Sequence, residues 1–144
     1  MKIACVIPLA SLLAVLVHIR ADESQRPAAV AGSETKGYRN VRADEFDKLR
    51  SDKKNVVLDV RTPQEFKAGH IAGALNIDWN SSDFEKKVSE LDKNKTYLVH
   101  CQGGVRSAKA SDKLMKLNFK SVVNLEGGMK AWEKAGKPVE KGEK

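Results

Sequence analysis

Short, nearly continuous apolar runs alternate along the chain with stretches where apolar residues recur every three or four positions. "NVVLDV" (55–60) and "TYLVHC" (96–101) are rich in β-branched and aromatic residues, the pattern of strands covered on both faces. "YRNV" (38–41), "AGALNI" (72–77) and "SVVNL" (121–125) supply three further strands. Between them, "RADEFDKLR" (42–50) places Phe46 and Leu49 on one helical face, and "SSDFEKKVSELD" (81–92) stripes Phe84, Val88 and Leu91. "TPQEF" (62–66) opens a helix with Thr62 as cap, Pro63 at the first turn and Glu65 in the capping-box position. "RSAKASDKLMKLN" (106–118) and "GMKAWEKAG" (128–136) complete the helices, the last ended by Gly136. Strands alternating with helices at this spacing predict one α/β domain with a parallel sheet over residues 38–137. No internal repeat is present.

The ends of the chain are patterned differently. Residues 1–21, "MKIACVIPLASLLAVLVHIRA", hold one early lysine and an apolar run from Ile3 to Val17 interrupted by Pro8. The run is shorter than the ~18–20 residues a spanning helix needs. It has the form of a secretory signal peptide, cleaved after Ala21 or as late as Ala31. A secreted or periplasmic location follows, with an uncleaved membrane anchor as the alternative. Residues 22–37 are small, polar and charged, the composition of a linker, and 138–144 form a polar tail expected to be flexible.

Charge narrows the partners. The formal net charge of +7 is spread through mixed runs such as "DFEKKVSELDKNK", which suit solvated helix faces. No basic cluster with interleaved aromatics marks a nucleic-acid surface, and no membrane contact is expected after leader removal. The excess positive charge does draw small anions towards a cleft.

Cysteine usage changes the picture most. Cys5 leaves with the leader, so the mature chain carries Cys101 alone and has no internal disulfide. Cys101 lies in "HCQGGVRS" (100–107), between a buried strand and a helix start. Ligands of open parallel sheets bind outside the carboxyl ends of strands, where Asp59 and Cys101 both fall. A strand, a glycine loop and a helix start together form an anion cradle of backbone N–H groups. Gly103 and Gly104 let the chain curl, Arg106 adds a cation and Ser107 a hydroxyl. A thiol there has a lowered pKa and becomes a nucleophile. Taken alone, the loop also fits a strand-to-helix turn with a buried structural cysteine.

Three segments carry a family resemblance: "LDVRTPQEFKAGHIAGALNI" (58–77), "VHCQGGVRS" (99–107) and "NLEGGMKAW" (124–132). In order and properly spaced, they resemble the single-domain rhodanese (sulfurtransferase) family over about residues 38–135. The resemblance implies a rhodanese-like fold, with a five-stranded parallel sheet and helices on both faces. It also implies sulfane-sulfur transfer. Cys101 takes sulfur from a small anion such as thiosulfate, holds it as a persulfide, and passes it to cyanide, a thiol or a protein thiol. The backbone of Gln102, Gly103, Gly104, Val105 and Arg106 would hold the donor, with Arg106 on its sulfonate oxygens. Asp59 and Arg61, with Ser107, either brace the loop or pair within the scaffold.

Other residues carry structural expectations. His70 is a hydrogen-bonded core histidine. His100 points to the sheet face opposite Cys101 and is a poor general base. Gly127 and Gly128 permit a tight turn, and Trp132 packs in the core. No metal or organic cofactor is implied, since one cysteine and scattered histidines make no ligand cluster. Three rivals to sulfur transfer stand, one of them an extracytoplasmic thiol carrier within a redox relay. A non-catalytic rhodanese-like binding or persulfide-carrier module shares the fold. A cysteine phosphatase carries one residue more in its loop, whereas Cys101 and Arg106 enclose four.

Overall fold

The computed structural model describes residues 34–35 and 37–142. The expected leader (1–21) and nearly all of the linker (22–37) lie outside the described residues. In chain order the elements are β1 (Glu34–Thr35), β2 (Tyr38–Val41), α1 (Ala43–Arg50), β3 (Val56–Asp59), α2 (Pro63–Ala68), β4 (Leu75–Asn76) and α3 (Phe84–Ser89). They continue with β5 (Thr96–His100), α4 (Val105–Lys116), β6 (Ser121–Leu125) and α5 (Gly128–Lys134). Five strands run parallel in the order β2-β6-β5-β3-β4. β1 adds a two-residue antiparallel edge to β2, pairing Glu34 with Arg39 and Thr35 with Tyr38. The parallel sheet is the one the alternating pattern predicts. β1 comes from the expected linker and joins through backbone pairing.

Strand alternation sorts the core into two layers. Along β5, Tyr97 and Val99 join Leu58, Phe84, Val88, Ala110 and Leu114 on the α3/α4 face. Leu98 goes to the other face with Phe46, Phe66, Met129 and Trp132, under α1, α2 and α5. Both faces of the sheet are therefore covered by helices. Each fully buried large apolar side chain contributes about 1.5–3 kcal/mol, which makes β5, buried on both sides, the anchor of the domain.

The strand before the cysteine is one residue shorter than its apolar run. β5 ends at His100, because the Cys101 carbonyl leaves the ladder and accepts a hydrogen bond from Met129 N–H at 2.8 Å. β4 is confined to Leu75–Asn76. A turn from Ile71 to Ala74, with Gly73 at φ +79°, keeps the preceding residues out of the sheet.

Residues 138–142 lie back on the domain, although their composition suggests a free tail. His70 and Glu140 exchange both backbone hydrogen bonds at 2.8 Å, and Gly142 N–H donates to Lys67 O at 2.9 Å. Trp132 Nε1 donates to Pro138 O at 2.9 Å, and Val139 packs against the α1/α2/α5 layer. Backbone groups make most of these attachments, so the polar side chains gave no sign of them. His70 itself is buried; its ring stacks on Phe66 with centroids 3.9 Å apart, and Nδ1 lies 2.9 Å from Phe66 O. Among the described residues no helix is long and apolar enough to cross a membrane.

Candidate active site

β5 is the central parallel strand, and the chain that leaves it forms the loop 101–104 before entering α4. Gly104 makes the entry with φ +100°, a left-handed conformation that side chains other than glycine rarely adopt. That geometry turns Gly104 N–H back onto Cys101 Sγ at 3.0 Å. The thiol is free, and its residue is only 1% exposed. Burial is the largest influence on the thiol and pushes its pKa up. The Ser107 hydroxyl and N–H, with the N–H groups of Gly104 and Gly103, act the other way and prevail. The net pKa lies below the ordinary thiol range, which favours the thiolate. Ser107 is itself buried, with its hydroxyl also within 3.2 Å of Gly104 O.

The floor of the loop is the start of α5. Met129 N–H and Lys130 N–H donate to the carbonyls of Cys101 and Gln102 at 2.8 and 3.2 Å. Gly128, at φ +58°, comes so near that a Cβ there would sit 2.3 Å from Cys101 O. The "EGG" turn of the last block is thus a close backbone approach to the loop as well as a bend.

Two arginines flank the loop, Arg61 after β3 and Arg106 in the first turn of α4. Arg61 pairs with Asp59 through Nε and Nη2 at 2.7–3.1 Å, donates from Nη2 to Gly69 O at 2.7 Å, and from Nη1 to Gln102 Oε1 at 3.1 Å. Both charged side chains are buried, at 4% and 0% exposure. Asp59 therefore holds Arg61, and Arg61 in turn holds the residue after the cysteine. Arg106, expected to face a donor anion, instead directs Nη1 and Nη2 onto Glu65 Oε2 and Oε1 at 2.8 and 2.7 Å. This pair is more open, at 25% and 32% exposure. The Arg106 guanidinium, helped by the Thr62 N–H and hydroxyl, brings the Glu65 carboxyl down to about 2 against the cost of burial.

Glu65 was legible in the sequence only as a helix cap. It does complete the capping box with Thr62; its second partner lies 41 residues away and left no local signal. Val105 is exposed at 68%, an apolar side chain on the rim. His100 lies on the opposite face, edge-on to Phe46 at 6.2 Å. Its Nε2 is 3.6 Å from Asp59 Oδ2, too far for a good hydrogen bond. Burial lowers the His100 pKa to about 4 despite Asp59, so the ring is neutral at neutral pH. Among the described residues no three His, Cys, Asp or Glu side chains gather in a way that could hold a metal ion.

The loop, then, is an anion cradle with a buried thiol at its centre, an arrangement suited to nucleophilic chemistry on a small group. A family model described as the rhodanese-like domain matches residues 42–135. The chain is 38% identical over 92 residues to a protein of Arabidopsis thaliana named thiosulfate sulfurtransferase 16, chloroplastic, covering 57% of this chain and 77% of that one. It is 37% identical over 98 residues to a tRNA uridine(34) hydroxylase of Pelagibacter ubique, covering 67% of this chain but 33% of the hydroxylase. The crystal structure of a rhodanese-related protein from Thermoplasma volcanium superposes with a TM-score of 0.64 at 37% identity, covering 72% of this chain and 98% of that one. Proteins of different named activities thus share the domain. This chain belongs to the rhodanese-like domain family.

Proposed function

We propose that the protein is a sulfurtransferase in which Cys101 carries the sulfur. The Cys101 thiolate attacks the outer sulfur of a donor such as thiosulfate. A bond forms between Sγ and that sulfur, the bond to the sulfonate sulfur breaks, and sulfite leaves with the electron pair. The resulting persulfide is then attacked at its outer sulfur by cyanide or a thiol, which restores the Cys101 thiolate. Two displacements through one covalent intermediate give ping-pong kinetics.

One observation carries the reading. A thiol 1% exposed is surrounded by N–H groups that favour its thiolate, and the same N–H groups suit the negative charge of a persulfide. The sulfurtransferase name of the Arabidopsis relative supports it. The short spacing from Cys101 to Arg106, and the engagement of that arginine by Glu65, speak against a phosphoryl group held by a free guanidinium. A retained cysteine in an ordered cradle favours chemistry over passive binding. The apolar leader further leads us to place the reaction outside the cytoplasm.

The test supplies thiosulfate or, in parallel, glutathione persulfide as donor and cyanide as acceptor, and follows thiocyanate. We expect turnover with lines characteristic of a ping-pong scheme, and none after Cys101→Ser with the fold retained by circular dichroism. Activity that survives Cys101→Ser would exclude Cys101 as the nucleophile.

A further inference from the structure

We infer that residues 138–142 are a strap that positions the Cys101 loop, with Val139 and Glu140 as positioning residues acting through Gly69, Arg61 and Gln102. The strap lies outside residues 42–135, the stretch that matches the rhodanese-like model. Its role rests on the reading of Cys101 as the reactive thiol.

The observation is an unbroken series of short contacts. Glu140 and His70 exchange both backbone hydrogen bonds at 2.8 Å, and Gly142 N–H donates to Lys67 O at 2.9 Å. The strap thereby brings a donor to a carbonyl in the last turn of α2, where a helix supplies no N–H of its own. At its start, Pro138 O accepts from the indole of the buried Trp132 at 2.9 Å. Between these anchors Val139 packs directly on Gly69. Its Cγ1 lies 2.8 Å from where a Cβ on that glycine would stand. The backbone at 69–70 is thus fixed by the strap.

That backbone reaches the thiol in two further steps. Gly69 O accepts from Arg61 Nη2 at 2.7 Å, and Arg61 Nη1 donates to Gln102 Oε1 at 3.1 Å. A guanidinium is planar and rigid, so a displaced Gly69 carbonyl tilts it and carries Nη1 along. Gln102 directly follows Cys101, and Gly103 and Gly104 after it present N–H groups that favour the thiolate. Loosening the strap therefore loosens the placement of those N–H groups on Sγ. Asp59 keeps the charge of Arg61 paired throughout, so what changes is position rather than charge.

Glu140→Pro in the full chain tests this, because proline has no N–H to give to His70 O. The readout is the pH profile of Cys101 alkylation by iodoacetamide, with the fold checked by circular dichroism. We expect the midpoint to move upward by about half a pH unit, the scale of a weakened hydrogen bond, with the high-pH plateau unchanged. Val139→Ala, which keeps every backbone bond, should move it the same way by less, and carries the test if the proline variant does not fold. Gln102→Ala cuts the last step of the route, so adding either strap variant to it should move the midpoint no further. A raised plateau with an unmoved midpoint means that the strap only keeps the thiol covered, and overturns the proposal. Additive shifts overturn the route through Gln102. Failure of the unaltered protein to transfer sulfur overturns the reading on which the strap's role in the reaction rests. An unmoved midpoint in protein that does transfer sulfur overturns the strap alone.

Discussion

The two arginine–carboxylate forks beside the loop use the same chemistry in different surroundings. Asp59 and Arg61 lie beneath the loop, at 0% and 4% exposure, and Arg61 extends to Gln102 and Gly69. Glu65 and Arg106 form the upper fork between the first turns of α2 and α4, at 32% and 25% exposure. Removing one partner of a buried pair strands a charge away from water; removing one partner of an open pair lets water replace it. The difference teaches a division of labour. The lower fork holds the residue after the cysteine, and the upper fork ties the start of α4 to the start of α2.

The largest effect is expected from breaking the lower fork. Arg61→Met leaves Asp59 buried and unpaired and frees Gln102, and should cost about 3–5 kcal/mol in urea unfolding. Arg106→Met, the matched change in the upper fork, should cost about 1 kcal/mol or less. Equal losses from the two variants would erase the distinction.

Acid separates the same two regions by pH window. His100, behind the lower fork, has its pKa lowered from 6.5 to about 4 by burial. The unfolded chain therefore binds its proton first, and stability should fall between pH 6.5 and 4, by about 2–3 kcal/mol. Glu65 has its pKa lowered from 4.5 to about 2. Its contribution is complete above pH 4.5 and is lost as pH falls towards 2, on the order of 1 kcal/mol after solvent screening. Unfolding free energies across the acid range should show the first loss removed by His100→Asn and the second by Glu65→Gln. A single loss, insensitive to both variants, contradicts the assignment.

The smallest effect concerns the thiol between the forks. Its lowered pKa predicts that alkylation of Cys101 by iodoacetamide rises to its plateau at lower pH than for free glutathione. Ser107→Ala, by removing one hydroxyl, should move that midpoint upward. A midpoint at or above the glutathione value would mean that burial prevails.

Much of the scaffold was legible in the sequence because period and turn chemistry act locally. The parallel strands at 56–59, 96–100 and 121–125 follow from apolar runs, and α2 follows from Thr62, Pro63 and Glu65 within one helical turn. The position of Cys101 at the carboxyl end of a buried strand follows from the apolar run before it, whereas the central place of that strand comes from the sheet order. What was not legible depends on partners distant in the chain. Glu65 meets Arg106 across 41 residues. Gly128 closes on Cys101 O, and that contact with α5 is why β5 stops one residue early. The pinning of 138–142 is mostly backbone pairing with His70 and Lys67, added to by the Trp132 indole and the Val139 side chain.

The most direct test of the account is the intact mass of the protein after incubation with glutathione persulfide and removal of small molecules. The account predicts one added sulfur atom, located by peptide mapping to Cys101, released by cyanide as thiocyanate, and absent in Cys101→Ser. A folded, reduced protein that gains no sulfur, or gains it equally after Cys101→Ser, would contradict the claim that this loop carries sulfur.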